Sequence, residues 1–124
     1  MKKIIVSLVV LLTLSFGNTI DEAKAYYEKK DYVSAFNIFE KLASNNDMVA
    51  QNFLGIMYRN GYGVQKDYKK AVEWYKKAAD QGNEGAQFAL GSMYYDQKDY
   101  KKAVEWYKKA ANQGDEAAQF FLGG

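Results

Sequence analysis

A seventeen-residue phrase occurs almost unchanged twice in the chain. It reads KDYKKAVEWYKKAADQG at residues 66–82 and KDYKKAVEWYKKAANQG at residues 98–114, and the two copies differ only at Asp80 and Asn112. A looser copy begins at Asp31, and the intervals between the three starts are 36 and 32 residues. Self-similarity at this period is typical of a solenoid, in which each unit buries its apolar side only against its neighbours.

The repeated phrase and the segments between its copies have the residue spacing of helices. In residues 66–82 the apolar side chains are three or four residues apart, which places them on one side of a helix. A second element recurs as AQNFLGIMY (50–58), AQFALGSMY (86–94) and AQFFLGG (118–124). Gly82 and Gly114 follow the predicted helices where a left-handed residue is favoured, and Asn83 and Asp115 are suited to cap the next helices.

Small and large residues recur at fixed positions of the two elements. Gly55, Gly91 and Gly123 each weaken a helix by about 1 kcal/mol relative to alanine, so we expect them to permit the close approach of a neighbouring helix. Glu73 and Lys77 are four residues apart, which predicts an ion pair on the helix surface. The large residues expected to fill the space between helix pairs are Trp74, Tyr75, Trp106 and Tyr107.

Residues 1–17 have the layout of a secretory signal. Two lysines precede the apolar run IIVSLVVLLTLSF at 4–16, and Ser15 and Gly17 are small residues at the −3 and −1 positions of a cleavage site. The run is shorter than the roughly 18–20 residues of a membrane span, and retention as an N-terminal anchor is the alternative. We therefore expect an exported protein, periplasmic or secreted, whose folded domain begins at residue 18.

Composition limits the classes of partner and of chemistry. Without residues 1–17, 15 of the 17 basic residues remain against 15 acidic residues. A neutral domain has no general attraction for nucleic acid or for an anionic membrane, so neither is expected as a partner. The chain contains no histidine and no cysteine, and Ser34, Ser44 and Ser92 do not begin a Ser-x-x-Lys pattern. The sequence thus predicts no catalytic residue, cofactor or metal site.

The recurring sequence motifs resemble those of the Sel-one-like repeat family. The members of this family are relatives of tetratricopeptide repeats and form α/α solenoids. These motifs are A-Q-x-x-L-G-x-M-Y, G-x-G-V, D-Y-K-K-A and W-Y-x-K-A-A-x-Q-G. The resemblance is to a small secreted bacterial member, and it implies an all-α solenoid of about three antiparallel helix pairs plus a terminal helix. The expected units of the domain 18–124 are 18–46, 47–82, 83–114 and a partial unit 115–124.

One connection is longer than the others. Seven residues, RNGYGVQ, separate Tyr58 from Lys66, whereas three, YDQ, separate Tyr94 from Lys98. The glycines of GYGV are expected to allow positive φ in a turn. A phosphate cradle is not indicated, because the lysine and the serine or threonine of a P-loop are missing.

The family resemblance also implies where a partner binds. In such solenoids the first helix of each pair lines a concave face that meets peptides or partner proteins. Positions on these helices that differ between the copies are free for recognition, because packing does not dictate them. The partner-binding candidates are Asn52, Ile56, Arg59, Phe88, Ser92, Tyr95 and Phe120. The alternative for Phe88 and Phe120 is a place in the core between units. The leading prediction is a non-catalytic, exported protein-interaction scaffold.

Two other functions stay open. Some secreted, cysteine-rich bacterial members of the family are described as penicillin-binding proteins or β-lactamases. The chain resembles them in its repeat and export signal, although it has no cysteine and no nucleophile can be carried over. The second is a structural, self-associating repeat. The last predicted helix, at 118–124, is not followed by a partner helix, which predicts exposed apolar surface and self-association or docking there.

Overall fold

The computed structural model describes residues 19–123, and these form seven α-helices and no strand. The helices are α1 (Ile20–Glu28), α2 (Tyr32–Ser44), α3 (Met48–Asn60), α4 (Tyr68–Asp80), α5 (Glu84–Asp96), α6 (Tyr100–Asn112) and α7 (Glu116–Phe121). Each helix packs against the next along the chain. The predicted all-α solenoid of three antiparallel pairs and a terminal helix is confirmed. We call the pairs α1–α2, α3–α4 and α5–α6 the first, second and third units.

The predicted signal segment, residues 1–17, lies outside the described residues. Between residues 19 and 123, no helix combines the length and the apolar character needed to cross a bilayer.

Each of these helices begins after a side chain that caps it. An oxygen of the capping side chain accepts a hydrogen bond from the backbone N–H three residues later, at 2.8–3.3 Å. The caps are Thr19, Asp31, Asp47, Asp67, Asn83, Asp99 and Asp115. The caps predicted at Asn83 and Asp115 are confirmed. A cap of this type stabilises a helix by about 0.5–2 kcal/mol, so the repeated aspartates fix where the helices start.

Left-handed residues end most of the helices. Gly82 and Gly114 have φ of +95° and +99°, as predicted. Lys30, Asn46 and Lys98 occupy the corresponding positions in other turns, with φ of 65°, 73° and 64°. A side chain other than glycine or asparagine rarely adopts this conformation. The tight turns between the helices therefore hold the two lysines in a backbone conformation that lysine rarely adopts.

A glycine backbone meets a tyrosine ring inside the second and third units. A Cβ atom added to Gly55 would lie 2.5 Å from the Tyr75 ring, and one added to Gly91 would lie 2.6 Å from the Tyr107 ring. Both tyrosines are buried. The predicted close approach is confirmed for these two glycines. It is wrong for Gly123, which follows the end of α7, has φ of +74° and would bring a Cβ near no other atom. Because α7 ends at Phe121, Gly123 belongs to a turn.

The tryptophans of the repeated phrase pack against core clusters that each include helices of two units. Trp74 packs against the core cluster of α1, α2 and α3, and Trp106 packs against the cluster of α4 and α5. This confirms the predicted filling between helix pairs. Lys77 lies over the Trp74 ring at 4.5 Å from its centroid. The predicted Glu73–Lys77 ion pair is therefore wrong, because the indole one turn away offers the ammonium group a cation–π contact.

Buried glutamines join the units by a polar network. The Nε2 of Gln51 donates to the Ala43 carbonyl oxygen at 3.2 Å, and its Oε1 accepts from Gln81 Nε2 at 2.8 Å. Gln87 repeats the arrangement with the Ala79 carbonyl at 3.1 Å and with Gln113 Nε2 at 2.6 Å. Each amide thus ties its helix to the helix before and to the end of the helix after. These hydrogen bonds satisfy side chains whose burial would otherwise be costly.

Substitution of Gly91 tests the close approach. Alanine in place of glycine inside a helix normally stabilises it by about 1 kcal/mol. At position 91 the added methyl overlaps the Tyr107 ring, so Gly91→Ala is expected to lower the free energy of unfolding by about 1–3 kcal/mol. Urea denaturation followed by circular dichroism measures the change.

Gly85→Ala is the matched control in the same helix. Gly85 is exposed, and its added Cβ would come no closer than 3.4 Å to another residue. This substitution should leave stability unchanged or raise it by up to about 1 kcal/mol. Equal effects of the two substitutions would show that the Tyr107 ring does not restrict Gly91.

Candidate interaction surface

Two of the three candidates on α3, Asn52 and Arg59, contact the third unit. Asn52 is half-buried, and its side-chain amide lies beside Gly85 at the start of α5. Ile56 is half-buried against the core cluster of α4 and α5. The Arg59 guanidinium forms an ion pair with Asp96 at 3.7 Å. The structure therefore places these side chains at contacts between units, each with part of its surface still exposed.

Two of the three candidates on α5 are engaged inside the molecule. Ser92 Oγ accepts a hydrogen bond from the Tyr107 hydroxyl at 3.1 Å. Phe88 is half-buried, with ring centroids 5.4 Å from Tyr107 and 5.9 Å from Phe121. Tyr95, one turn beyond Ser92, is 50% exposed. Packing alone therefore accounts for Phe88 and Ser92, whereas it leaves half of the Tyr95 side chain open.

Exposed aromatic rings gather where α5, α6 and α7 meet. Phe120 is 80% exposed, and Tyr100 and Phe121 are each 53% exposed. Tyr95 lies 5.2 Å from Tyr100 and 6.5 Å from Phe121 between ring centroids, and Phe120 lies 6.2 Å from Phe121. We call Tyr95, Tyr100, Phe120 and Phe121 the terminal aromatic patch. Contiguous exposed apolar surface of this kind is a feature of interaction sites.

Two members of the patch, Tyr100 and Phe121, were not among the sequence candidates. Tyr100 belongs to the repeated phrase, in which every copy has a tyrosine after the aspartate, and this repetition indicated a packing role. Phe121 aligns with Phe53 and with Ala89. The repetition of Tyr27–Tyr32 as Tyr95–Tyr100, at the same five-residue spacing, is the sequence signal that could have found Tyr100.

The long GYGV connection packs back on the first unit. Gly61 and Gly63 have φ of +74° and +72°, which confirms the predicted turn. The Tyr62 ring stacks on Tyr32 with centroids 4.5 Å apart and planes 8° apart. A Cβ on Gly63 would lie 2.7 Å from the Tyr32 carbonyl carbon, so glycine is required for this approach. The aromatic residue of the loop is thus engaged with the chain itself.

Within residues 19–123, no group of three or more acidic side chains is placed to hold a metal ion. One strongly shifted phenol lies in the core. Burial raises the pKa of Tyr75 to about 12, and the nearby Arg59 guanidinium opposes that rise. The Tyr75 ring lies against the Gly55 backbone, and it therefore has a packing role.

The helix pairs, their glycine contacts and the glutamine network define an α/α repeat protein. The family model described as the Sel1 repeat matches residues 23–47, 49–83 and 85–115. The chain belongs to the Sel1 repeat family, as its recurring sequence motifs indicated.

Similar proteins occur in several organisms. A Sel1 repeat protein from Oxalobacter formigenes superposes with a TM-score of 0.81 at 35% identity, over 85% of this chain and 45% of that protein. The cysteine-rich protein B of Helicobacter pylori superposes with a TM-score of 0.66 at 26% identity, over 85% of this chain and 98% of that one. The DAP3-binding cell death enhancer 1 of Rattus norvegicus is 37% identical over 93 residues, 69% of this chain and 18% of the rat protein. The chain thus spans less than a fifth of this curated relative.

Alkaline titration tests the burial of Tyr75. The pKa of this phenol is about 12 in the folded chain and about 10 in an unfolded one. The neutral phenol therefore contributes fully to stability below pH 10, and this contribution is lost as the pH rises through 12. The free energy of unfolding should fall by about 2–3 kcal/mol on this account. In Tyr75→Phe that part of the pH dependence should disappear from denaturation curves.

Tyr68→Phe on the same helix is the control, because Tyr68 is exposed at 43%. It should keep the pH dependence of the unsubstituted chain. If Tyr75→Phe and Tyr68→Phe lose stability identically between pH 10 and 12, ionisation of Tyr75 is not coupled to unfolding.

Proposed function

We propose that the chain is a non-catalytic, exported interaction scaffold that binds a peptide or protein partner. The partner lies along the side formed by the first helices of the units, and the terminal aromatic patch is its main anchor. Tyr95 and Phe120 are the two sequence candidates within the patch. Arg59, paired with Asp96 next to Tyr95, extends the surface toward the second unit.

The exposure of the terminal aromatic patch carries this proposal. Aromatic side chains are the usual anchors of protein interfaces because they bury a large area with few rotatable bonds. Elsewhere in the described chain large aromatics are mostly packed: Phe39 and Tyr75 are almost fully buried. The four neighbouring rings of the patch are at least half exposed. They would therefore bury the most apolar area when a partner binds.

The family supports the same function. Sel1 repeat proteins generally bind protein partners. The rat relative is named for its binding to another protein, DAP3. Nothing in that name identifies a partner for this chain, since the match covers 18% of the rat protein.

Export is proposed from the N-terminal sequence. Residues 1–17 combine two lysines, an apolar run and small residues before a cleavage point. In the periplasm or outside the cell, the neutral domain would meet protein or peptide partners.

The two alternatives remain predictions. No contact in the described residues favours a β-lactam site, and the hydroxyl of Ser92, one of the three serines of the domain, is hydrogen-bonded to Tyr107. Self-association would use the same aromatic patch as a partner does, with a second copy in place of the partner.

Panning of a displayed peptide library against the immobilised full chain tests the scaffold function. Peptides should be enriched, and their affinity should fall about tenfold or more when Phe120→Ser and Tyr95→Ala are combined, because anchors of this type each contribute roughly 1–2 kcal/mol or more. Fluorescence polarisation of the selected peptides measures the affinity.

Val33→Ala is the control for the loss of an exposed apolar side chain. Val33 is 62% exposed on α2 and contacts none of the patch residues. Affinity should be unchanged in this variant. The scaffold proposal is wrong if no peptide is enriched over a blank surface, or if Val33→Ala and the patch variant weaken binding equally.

A further inference from the structure

The positive charges of the described chain are concentrated on two neighbouring helices. The two copies of the repeated phrase, 66–82 and 98–114, contain ten lysines and five acidic residues, a net charge of +5. The rest of residues 19–123 contains five basic and ten acidic residues, a net charge of −5. Helices α4 and α6 carry eight of the ten lysines and contact each other directly. The neutral net charge of the domain therefore conceals a basic side formed by α4 and α6.

A groove of about 490 Å³ lies on this basic side, between the second and third units, at what we call the second junction. Its lining residues are Tyr68, Lys69, Val72, Glu73, Tyr94 and Gln97. They belong to α4, to the end of α5 and to the turn that follows, and described helices precede and follow them along the chain. The volume of the groove is within the usual range of binding clefts, about 300–1,000 Å³.

The chain fills the corresponding place at the first junction, between the first and second units. The residues equivalent to Tyr68, Val72 and Tyr94 are Tyr32, Phe36 and Tyr58. Tyr62 of the long GYGV connection stacks on Tyr32 at 4.5 Å, and Phe36 meets Tyr58 edge-on at 5.7 Å. At the second junction valine replaces phenylalanine, and the shorter connection has no counterpart of Tyr62. Tyr68 is 43% exposed, whereas Tyr32 is half-buried.

Lysines lie on both sides of this groove. Lys69 of α4 is part of the lining, and Lys102 of α6 lies over the Tyr94 ring at 5.3 Å from its centroid. Within the described residues Lys69 forms no ion pair, and the pair between Lys102 and Asp99 is long, at 4.0 Å. Both ammonium groups are therefore available to a negatively charged ligand.

Two more lysines continue these rows between α4 and α6. Lys76 and Lys109 each follow one of the first two by seven residues, which is about 10 Å along the same side of a helix. Lys109 lies over the Trp106 ring at 4.2 Å, and Trp106 packs against the core cluster of α4 and α5. Lys76 pairs with Asp80 at 3.2 Å on its own helix. We call the groove with Lys69, Lys76, Lys102 and Lys109 the basic groove.

We propose that the basic groove binds an acidic segment of a partner protein, which places one apolar side chain between Tyr68 and Tyr94 and carboxylates beside the lysines. Charge complementarity identifies this partner, since opposite charges attract a ligand and like charges exclude it. The groove shares no residue with the terminal aromatic patch. It is therefore a second binding surface, beyond the one in the proposed function.

The lining favours a protein over a uniformly anionic partner. A phosphate backbone or an anionic bilayer would place negative charge beside Glu73 as well as beside the lysines, whereas a polypeptide can place an uncharged residue there. The basic groups of the groove are all lysines. Arginine is the residue that presents a planar fork to phosphate groups, and the basic groove has none.

A heptapeptide with one phenylalanine between two runs of three glutamates is the probe. The full chain is titrated with it at low salt while the aromatic ¹H–¹³C signals are recorded. Signals of Tyr68 and Tyr94 should shift and saturate with a Kd on the order of 0.1–1 mM, because exposed ion pairs each contribute little. The affinity should fall about threefold or more at high salt, which screens the charges. It should fall similarly when glutamine replaces the glutamates.

Lys69→Gln combined with Lys102→Gln should weaken binding of the probe about fivefold or more. Lys101→Gln combined with Lys108→Gln is the matched control. It removes the same charge from the edge of α6 opposite Trp106 and should change the affinity less than about twofold. Equal losses in the two double variants would show a diffuse attraction and would overturn the assignment to the groove.

Val72→Phe tests the apolar part of the groove without a change of charge. It introduces the residue that the first junction has as Phe36, so the helix pair should tolerate it. The Tyr68 and Tyr94 shifts should weaken about fivefold or more at equal peptide concentration, because the ring occupies the space of the ligand side chain. Undiminished binding by this variant, with its thermal unfolding unchanged, would contradict the proposal.

Other anionic ligands are compared with the probe. Vesicles of phosphatidylglycerol and phosphatidylcholine in equal parts, and a short DNA duplex, should bind less tightly than the peptide. If either binds more tightly and loses affinity in the Lys69 and Lys102 double variant, the groove recognises that ligand and the proposal is wrong. If the peptide shifts only Tyr95 and Tyr100, or nothing, the basic groove is rejected. Capture of library peptides through Phe120 tests the scaffold function separately.

Discussion

The contact between a glycine backbone and a tyrosine ring sets the spacing on which the rest of this solenoid depends. Gly55 against Tyr75 and Gly91 against Tyr107 bring the two helices of a unit together with no room for a methyl group. In the first unit the equivalent positions hold Ala23 and Phe39, both fully buried. With the pair held at this spacing, the buried glutamines reach the neighbouring helices, and the tryptophans fall between units.

The helices of the three units are similar, whereas the junctions between the units differ. The functional differences arise at these junctions. At the first junction the long loop returns Tyr62 to stack on Tyr32. Where the third unit meets α7, Tyr100 meets Tyr95 in nearly the geometry of Tyr32 and Tyr27, and it is 53% exposed. One packing scheme thus produces a covered aromatic cluster at the first junction and the exposed terminal aromatic patch beside α7.

Much of the fold could be predicted from the sequence because repetition reveals what packing requires. The helices, the caps at Asn83 and Asp115 and the close approach at Gly55 and Gly91 follow from positions that recur. The errors concern residues whose role is set by contacts between helices. Lys77 lies over an indole, and Tyr100 is 53% exposed although its counterpart Tyr32 is covered by Tyr62.

The central claim is that Tyr62 covers Tyr32 and its neighbouring rings at the first junction, whereas the terminal aromatic patch is exposed. Hydroxyl-radical footprinting with mass spectrometry measures side-chain accessibility residue by residue and tests this directly. Tyr95, Tyr100, Phe120 and Phe121 should be oxidised severalfold faster than Tyr27, Tyr32 and Phe53, in line with their different exposures. Equal rates at the matched pairs Tyr27 and Tyr95, and Tyr32 and Tyr100, would contradict the account.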